Sequence, residues 1–198
     1  MAQPARQPSS LHDRAADDLR FIRQAMERGA LFTAVPGLGG VAMGTLGLAA
    51  AAVAARQPTP EGWLAVWLGT AVVAFTVGVA AIWRKASRAG VKLTGGLARS
   101  FGVAVIAPIA AGAGITYALW STRTFTAMPA VWLLLYGAGV LAGGAFSVPA
   151  VRVVGALFML LGFAAALTPP AFGNAWLGLG FGALQLTGGI YIARHHGG

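Results

Sequence analysis

No charged side chain occurs between Arg152 and Arg194. A single α-helix over that distance would run about 60 Å, roughly twice the hydrocarbon thickness of a bilayer. The stretch must therefore break. Thr168-Pro169-Pro170 supplies the break, because proline lacks a backbone donor and pushes the residue before it out of helical geometry. Two apolar helices follow, expected over 148–167 and 175–193.

The same reading applies upstream. Residues 30–55 carry no charge and form a first span, with Pro36 near its start, where the missing N–H does little harm. Arg56 to Gly62 is a short polar turn. A second span over 63–83 has Trp63 and Trp83 at its ends, where amphipathic rings favour a membrane interface. Spans over 101–120, with Pro108 inside, and 129–145 complete the set. Composition agrees: 57% of residues are hydrophobic and 10% charged, whereas globular domains carry roughly 25% charged residues. The expected fold is an all-α integral membrane protein, a six-transmembrane-helix bundle over 30–198. Without cysteine, disulfides and thiolate-ligated metals are excluded.

Orientation follows from the connector Arg84 to Ser100, RKASRAGVKLTGGLARS. Its Arg84, Lys85, Arg88, Lys92 and Arg99 stand without an acid, and it is expected to form a short surface helix before Gly95-Gly96. Placing it and both termini in the cytoplasm puts twelve Lys/Arg inside and only Arg56 and Arg123 outside. The excess of basic residues belongs on the cytoplasmic side. The net charge of +9 is therefore read as membrane orientation, with the lipid bilayer as partner and no nucleic acid.

Residues 1–29 are expected as a cytoplasmic tail, disordered over 1–8, followed by an amphipathic helix that Ser10 and Asp13 cap. No secretory leader is expected, because the first apolar run begins only near Ala30, after a charged stretch. Leu19, Ile22 and Met26 lie on one apolar face with Leu11 and Ala15. The segment has five Arg against four acids, unlike the basic excess of helices that lie on membranes. Leu19, Ile22 and Met26 are therefore the expected docking face, either for the chain's own bundle, for a cytoplasmic protein partner or for another copy in a homo-oligomer.

A shift of 113 residues places Val35-Pro36 on Val148-Pro149, Trp63-Leu64 on Trp176-Leu177 and Gly69 on Gly182. Pro108 and Trp132 echo the pattern with shorter spacing. Three tandem helical hairpins are expected. Glycine is frequent, at 29 of 198 residues, and Gly40–Gly44, Gly139–Gly143 and Gly178–Gly182 repeat the spacing that lets helices approach closely in lipid.

No Asp, Glu, Lys, Arg or His falls in the middle of a span. Proton relays, ion-coupled pumps and intramembrane carboxylate catalysis all depend on such groups. No catalytic, cofactor-binding or metal-ligating residue is assigned; His195 and His196 read as interfacial tail. The polar groups within the spans include Tyr136, Gln185 and Thr187. An amide in hydrocarbon needs a partner, so Gln185 either hydrogen-bonds a neighbouring helix or lines a polar pathway.

The stretch ADDLRFIRQAMERGALFTAVPGLGGVAMG, Ala16 to Gly44, resembles the opening of uncharacterised multi-spanning bacterial membrane proteins. The resemblance covers the N-terminal quarter of the chain and implies a bacterial inner membrane, with no activity attached. The expected function is a non-enzymatic membrane protein that docks a partner or serves a regulatory or structural role. The alternative is a permease or transporter subunit for a small neutral or apolar solute. A cavity lined by Gln185 and tyrosine favours the permease; a closed bundle favours docking.

Overall fold

A computed structural model describes residues 19, 20, 22, 36–88, 90, 93 and 96–196. Met26 and Lys92 lie outside the described residues, as does most of the expected amphipathic segment; Leu19, Arg20 and Ile22 are helical. Among the described residues the chain is all helix with no strand, and six helices are long and apolar enough to cross a membrane.

Helix α1 spans Gly37–Ala54. Pro36 adopts an extended backbone just before it, so this helix begins at Gly37 and not with Pro36 in its first turns, as the span expected over 30–55 had it. At the other end, Arg56 Nη1 donates to Ala52 O at 2.8 Å and Gln57 Nε2 to Val53 O at 3.2 Å. These bonds satisfy carbonyls that the helix leaves open. Helix α2, Pro60–Arg88, starts on a Thr59 cap whose hydroxyl accepts from Gly62 N at 3.1 Å. Glu61 lies in its first turn and Lys85 and Arg88 in its last, each complementing the helix dipole.

Helix α3, Gly96–Ser121, contains Pro108. It stops at Arg123, a non-glycine residue at φ 58°, with Thr124 N donating to Leu119 O at 2.8 Å. That is a left-handed helix terminator. The connector is thus largely absorbed by helix ends: α2 runs on to Arg88 and α3 begins at Gly96, in place of a separate surface helix. Long basic side chains permit this, since their apolar stems continue the helix face while the charges reach outward.

A 3₁₀ turn, Phe125–Ala127, leads into α4, Met128–Gly144. The Gly143-to-Ser147 corner then passes the chain into α5, Pro149–Leu167. Thr168 is extended at φ −104°, ψ 160°, so the expected break falls before the two prolines. After a 3₁₀ turn at Pro170–Phe172, the sixth span is composite. It comprises α6, Gly173–Leu177, a π-helical stretch Gly178–Leu184, and α7, Gln185–His196.

The two most extensive contacts join α1 to the composite span and α4 to α5. Both pairs unite helices from different expected hairpins. Helix α2 packs mainly on α1 and α3 mainly on α4, while α2 and α3 hardly touch each other. Glycine sets the closest approach. A Cβ built on Gly47 would lie 2.1 Å from Phe181 O, and one on Gly44 2.4 Å from Leu186 N. The Gly139–Gly143 pair faces Val105 and Phe101 of α3, and Gly178 and Gly182 face Ala51 and Leu48 of α1. The π-helical glycines therefore let α1 in on one side. Gly180 does the same for Leu133 and Phe158 of α4 and α5 on the other.

Candidate functional site

The six spans converge on a cavity of about 200 Å³, to which each contributes: Met43, Phe75, Val105, Tyr136, Val154 and Gln185 are one residue from each. It lies in the half of the bundle that holds the Arg84 end of α2, reaching Pro36 and Ile192. No charged residue lines it. Between α2 and α3 its wall is thin: Phe75 and Val79 are about half exposed.

The floor is the polar pair. Tyr136 Oη donates to Gln185 Oε1 at 3.3 Å, joining α4 to α7. Gln185 bonds a neighbouring helix and lines the cavity. Thr187 stands apart. It is exposed, and its hydroxyl turns back to Ala183 O at 2.9 Å on its own helix.

Below the floor the bundle closes. Tyr136, Phe158 and Phe181 meet with centroids 4.7 to 5.4 Å apart, and Trp67 joins Phe181 at 6.3 Å. Phe158 is fully buried. Next comes a hydrogen-bonded layer centred on Asn174. Its Oδ1 accepts from Trp63 Nε1 and Trp67 Nε1, both at 3.1 Å, and its Nδ2 donates to Ala51 O at 2.9 Å. One side chain thus ties the start of the sixth span to α1 and α2. Trp63 also stacks on Trp132 of α4 at 5.6 Å with the planes 4° apart.

Two more indoles follow a common pattern. Trp132 donates to Thr116 Oγ1 at 2.8 Å and Trp176 to Thr168 Oγ1 at 2.7 Å. Each threonine in turn donates to the carbonyl four residues back. Arg123 and Glu61 form an ion pair at this end. Beyond the layer lies a more open depression of about 210 Å³ beside Pro60, Phe125, Pro129 and Pro170. Two hollows thus face each other across an aromatic and amide barrier.

The remaining sequence candidates lie elsewhere. Leu19 and Ile22 are exposed, at 67% and 52%. Arg84, Arg88 and Arg99 are exposed and Lys85 half-buried, on the facing ends of α2 and α3. Asn174 is the functional-looking residue that the sequence reading passes over. An amide within the uncharged run is the signal, masked by its place beside the Pro169-Pro170 break. Comparison with known protein families, curated proteins and solved structures finds no match for this chain.

Proposed function

We propose that this chain is a multi-pass membrane protein acting as a permease, or permease subunit, for a small neutral or apolar solute. The observation that carries the reading is the uncharged cavity formed by all six spans, with Gln185 and Tyr136 at its floor. Ligand sites commonly lie between helices of a bundle, mostly apolar with few placed polar groups. The polar side chains that the cavity offers are an amide and a phenol. With the N-terminus and the Arg84–Ser100 connector cytoplasmic, the cavity opens in the inner half of the bilayer. The Asn174 layer then forms the outer barrier. The tandem-hairpin duplication draws support from helix starts, since the shift of 113 brings Pro60 onto Gly173, the first residues of α2 and α6.

The experiment is binding of benzene to the protein purified in lipid nanodiscs, read as a rise in unfolding temperature, because a ligand that binds only the folded state stabilises it. Gly78→Leu is expected to remove the rise by filling the cavity. At that position a new Cβ meets only the flexible Met43 thioether, at 3.3 Å from Sδ. A wild type without a rise, or a Gly78→Leu protein that keeps it, refutes the solute reading. Reporter fusions after Arg99 and at the C-terminus are expected to be cytoplasmic, and those near Pro58 and Phe172 external.

A second reading, docking of a cytoplasmic protein through the N-terminal segment, is favoured by the exposure of Leu19 and Ile22.

A further inference from the structure

The volume of the cavity bounds its occupant. A dry cavity of about 150 Å³ walled by leucine, isoleucine and phenylalanine takes up benzene, whereas sites for drug-sized ligands begin near 300 Å³. At about 200 Å³ the space matches one six-membered ring with a small substituent. Its chemistry bounds the occupant further. With no charged residue in the lining, an ionic solute would lose its hydration without a counter-charge.

The polar floor supplies the last constraint. Tyr136 already donates its O–H to the Gln185 carbonyl oxygen, which leaves this cavity-lining residue an amide nitrogen with two N–H donors. Among the described residues no hydrogen bond takes up that nitrogen. A donor left without an acceptor in an apolar site is unfavourable, and an occupant that provides one is selected over an isostere that does not.

We infer that the cavity selects a neutral, ring-sized molecule bearing one acceptor oxygen of the ketone, quinone or ester carbonyl class, bound by the amide N–H of Gln185. Tyr136 is the positioning residue: its hydroxyl fixes the amide so that nitrogen, not oxygen, meets the occupant. Entry is sideways from the bilayer, between α2 and α3, which hardly touch each other. The inference rests on the solute reading and adds the identity of the recognised group.

Acetophenone and ethylbenzene test it, because they share ring and size and differ in the carbonyl. Binding is measured on the full chain in nanodiscs, with affinities referred to probe concentration in the lipid. Both probes then leave an apolar solvent, so the ratio reports the hydrogen bond. Acetophenone is expected to bind about 3- to 10-fold more tightly, the range for one neutral hydrogen bond. Gln185→Leu is expected to equalise the two while ethylbenzene still binds. Tyr136→Phe is expected to weaken the preference, and Gln185→Met serves if the leucine variant does not fold.

Equal affinities in the wild type, tighter ethylbenzene, or a preference that survives both Gln185 variants would overturn the acceptor assignment and leave the solute cavity standing. If neither probe binds the wild type, the solute reading falls and this inference with it.

Discussion

Asn174→Ala is the substitution with the sharpest expected consequence outside the cavity. It removes three hydrogen bonds, one at 2.9 Å and two at 3.1 Å. Side-chain hydrogen bonds between membrane helices average about 0.6 kcal/mol each, which gives about 2 kcal/mol for three. It also strands the indole N–H of Trp67, a residue only 4% exposed, and an unpaired buried donor adds about 1 kcal/mol or more. The expected loss is therefore about 3 kcal/mol, measured by far-ultraviolet circular dichroism during reversible SDS unfolding in mixed micelles.

In a Trp63→Phe, Trp67→Phe background only the bond to Ala51 remains to be lost. The same Asn174→Ala change should then lose about 1 kcal/mol. Residues in one network couple, whereas independent sites add to within about 0.5 kcal/mol. Equal losses in the two backgrounds would refute the hub.

Gly47→Ala is expected to destabilise by more than about 3 kcal/mol, because its methyl would sit against the Phe181 carbonyl in a packed interface. Gly114→Ala, with nothing within 4 Å of its Cβ, is the control, expected to be neutral or stabilising by about 0.5–1 kcal/mol; both are read by the same unfolding titration. Leu19→Asp with Ile22→Asp is expected to leave benzene binding unchanged. If the double variant instead abolishes the protein's cellular effect with cavity binding intact, docking replaces solute handling as the main function. Changing Arg84, Lys85, Arg88, Lys92 and Arg99 to Gln is expected to produce mixed reporter orientation; unchanged reporters would remove the connector's role in orientation.

The helical segments were legible because each rests on a strong local rule. The Thr168-Pro169-Pro170 break follows from proline's fixed φ and missing donor and falls within a residue of where it was expected, whereas the first helix, expected from residue 30, begins at Gly37 after an extended Pro36. The extension of α2 to Arg88 was not legible, since the charges end the apolar run at Trp83 and a hydropathy reading separates the connector helix from the span. Gln185 announced itself as an amide in an apolar run. Its partner could not be read, because Tyr136 lies 49 residues away and depends on which helices pack. The cavity escaped for the same reason: it is a space between spans, and no span encodes it alone.

The π-helical stretch has a consequence for the sixth span as a whole. Asn174 and Gln185 are eleven residues apart, so an unbroken α-helix, advancing about 100° per residue, would bring both amides to nearly the same azimuth. Here they serve different neighbours, Ala51 and two tryptophans in one case and Tyr136 in the other. Wider turns through Gly178–Leu184 provide the phase offset, each absorbing a residue that an α turn would not. The span is in effect two helices spliced out of register. Removing a single residue from the splice would turn one amide relative to the other by about 100°, so that Asn174 and Gln185 could not both keep their present partners.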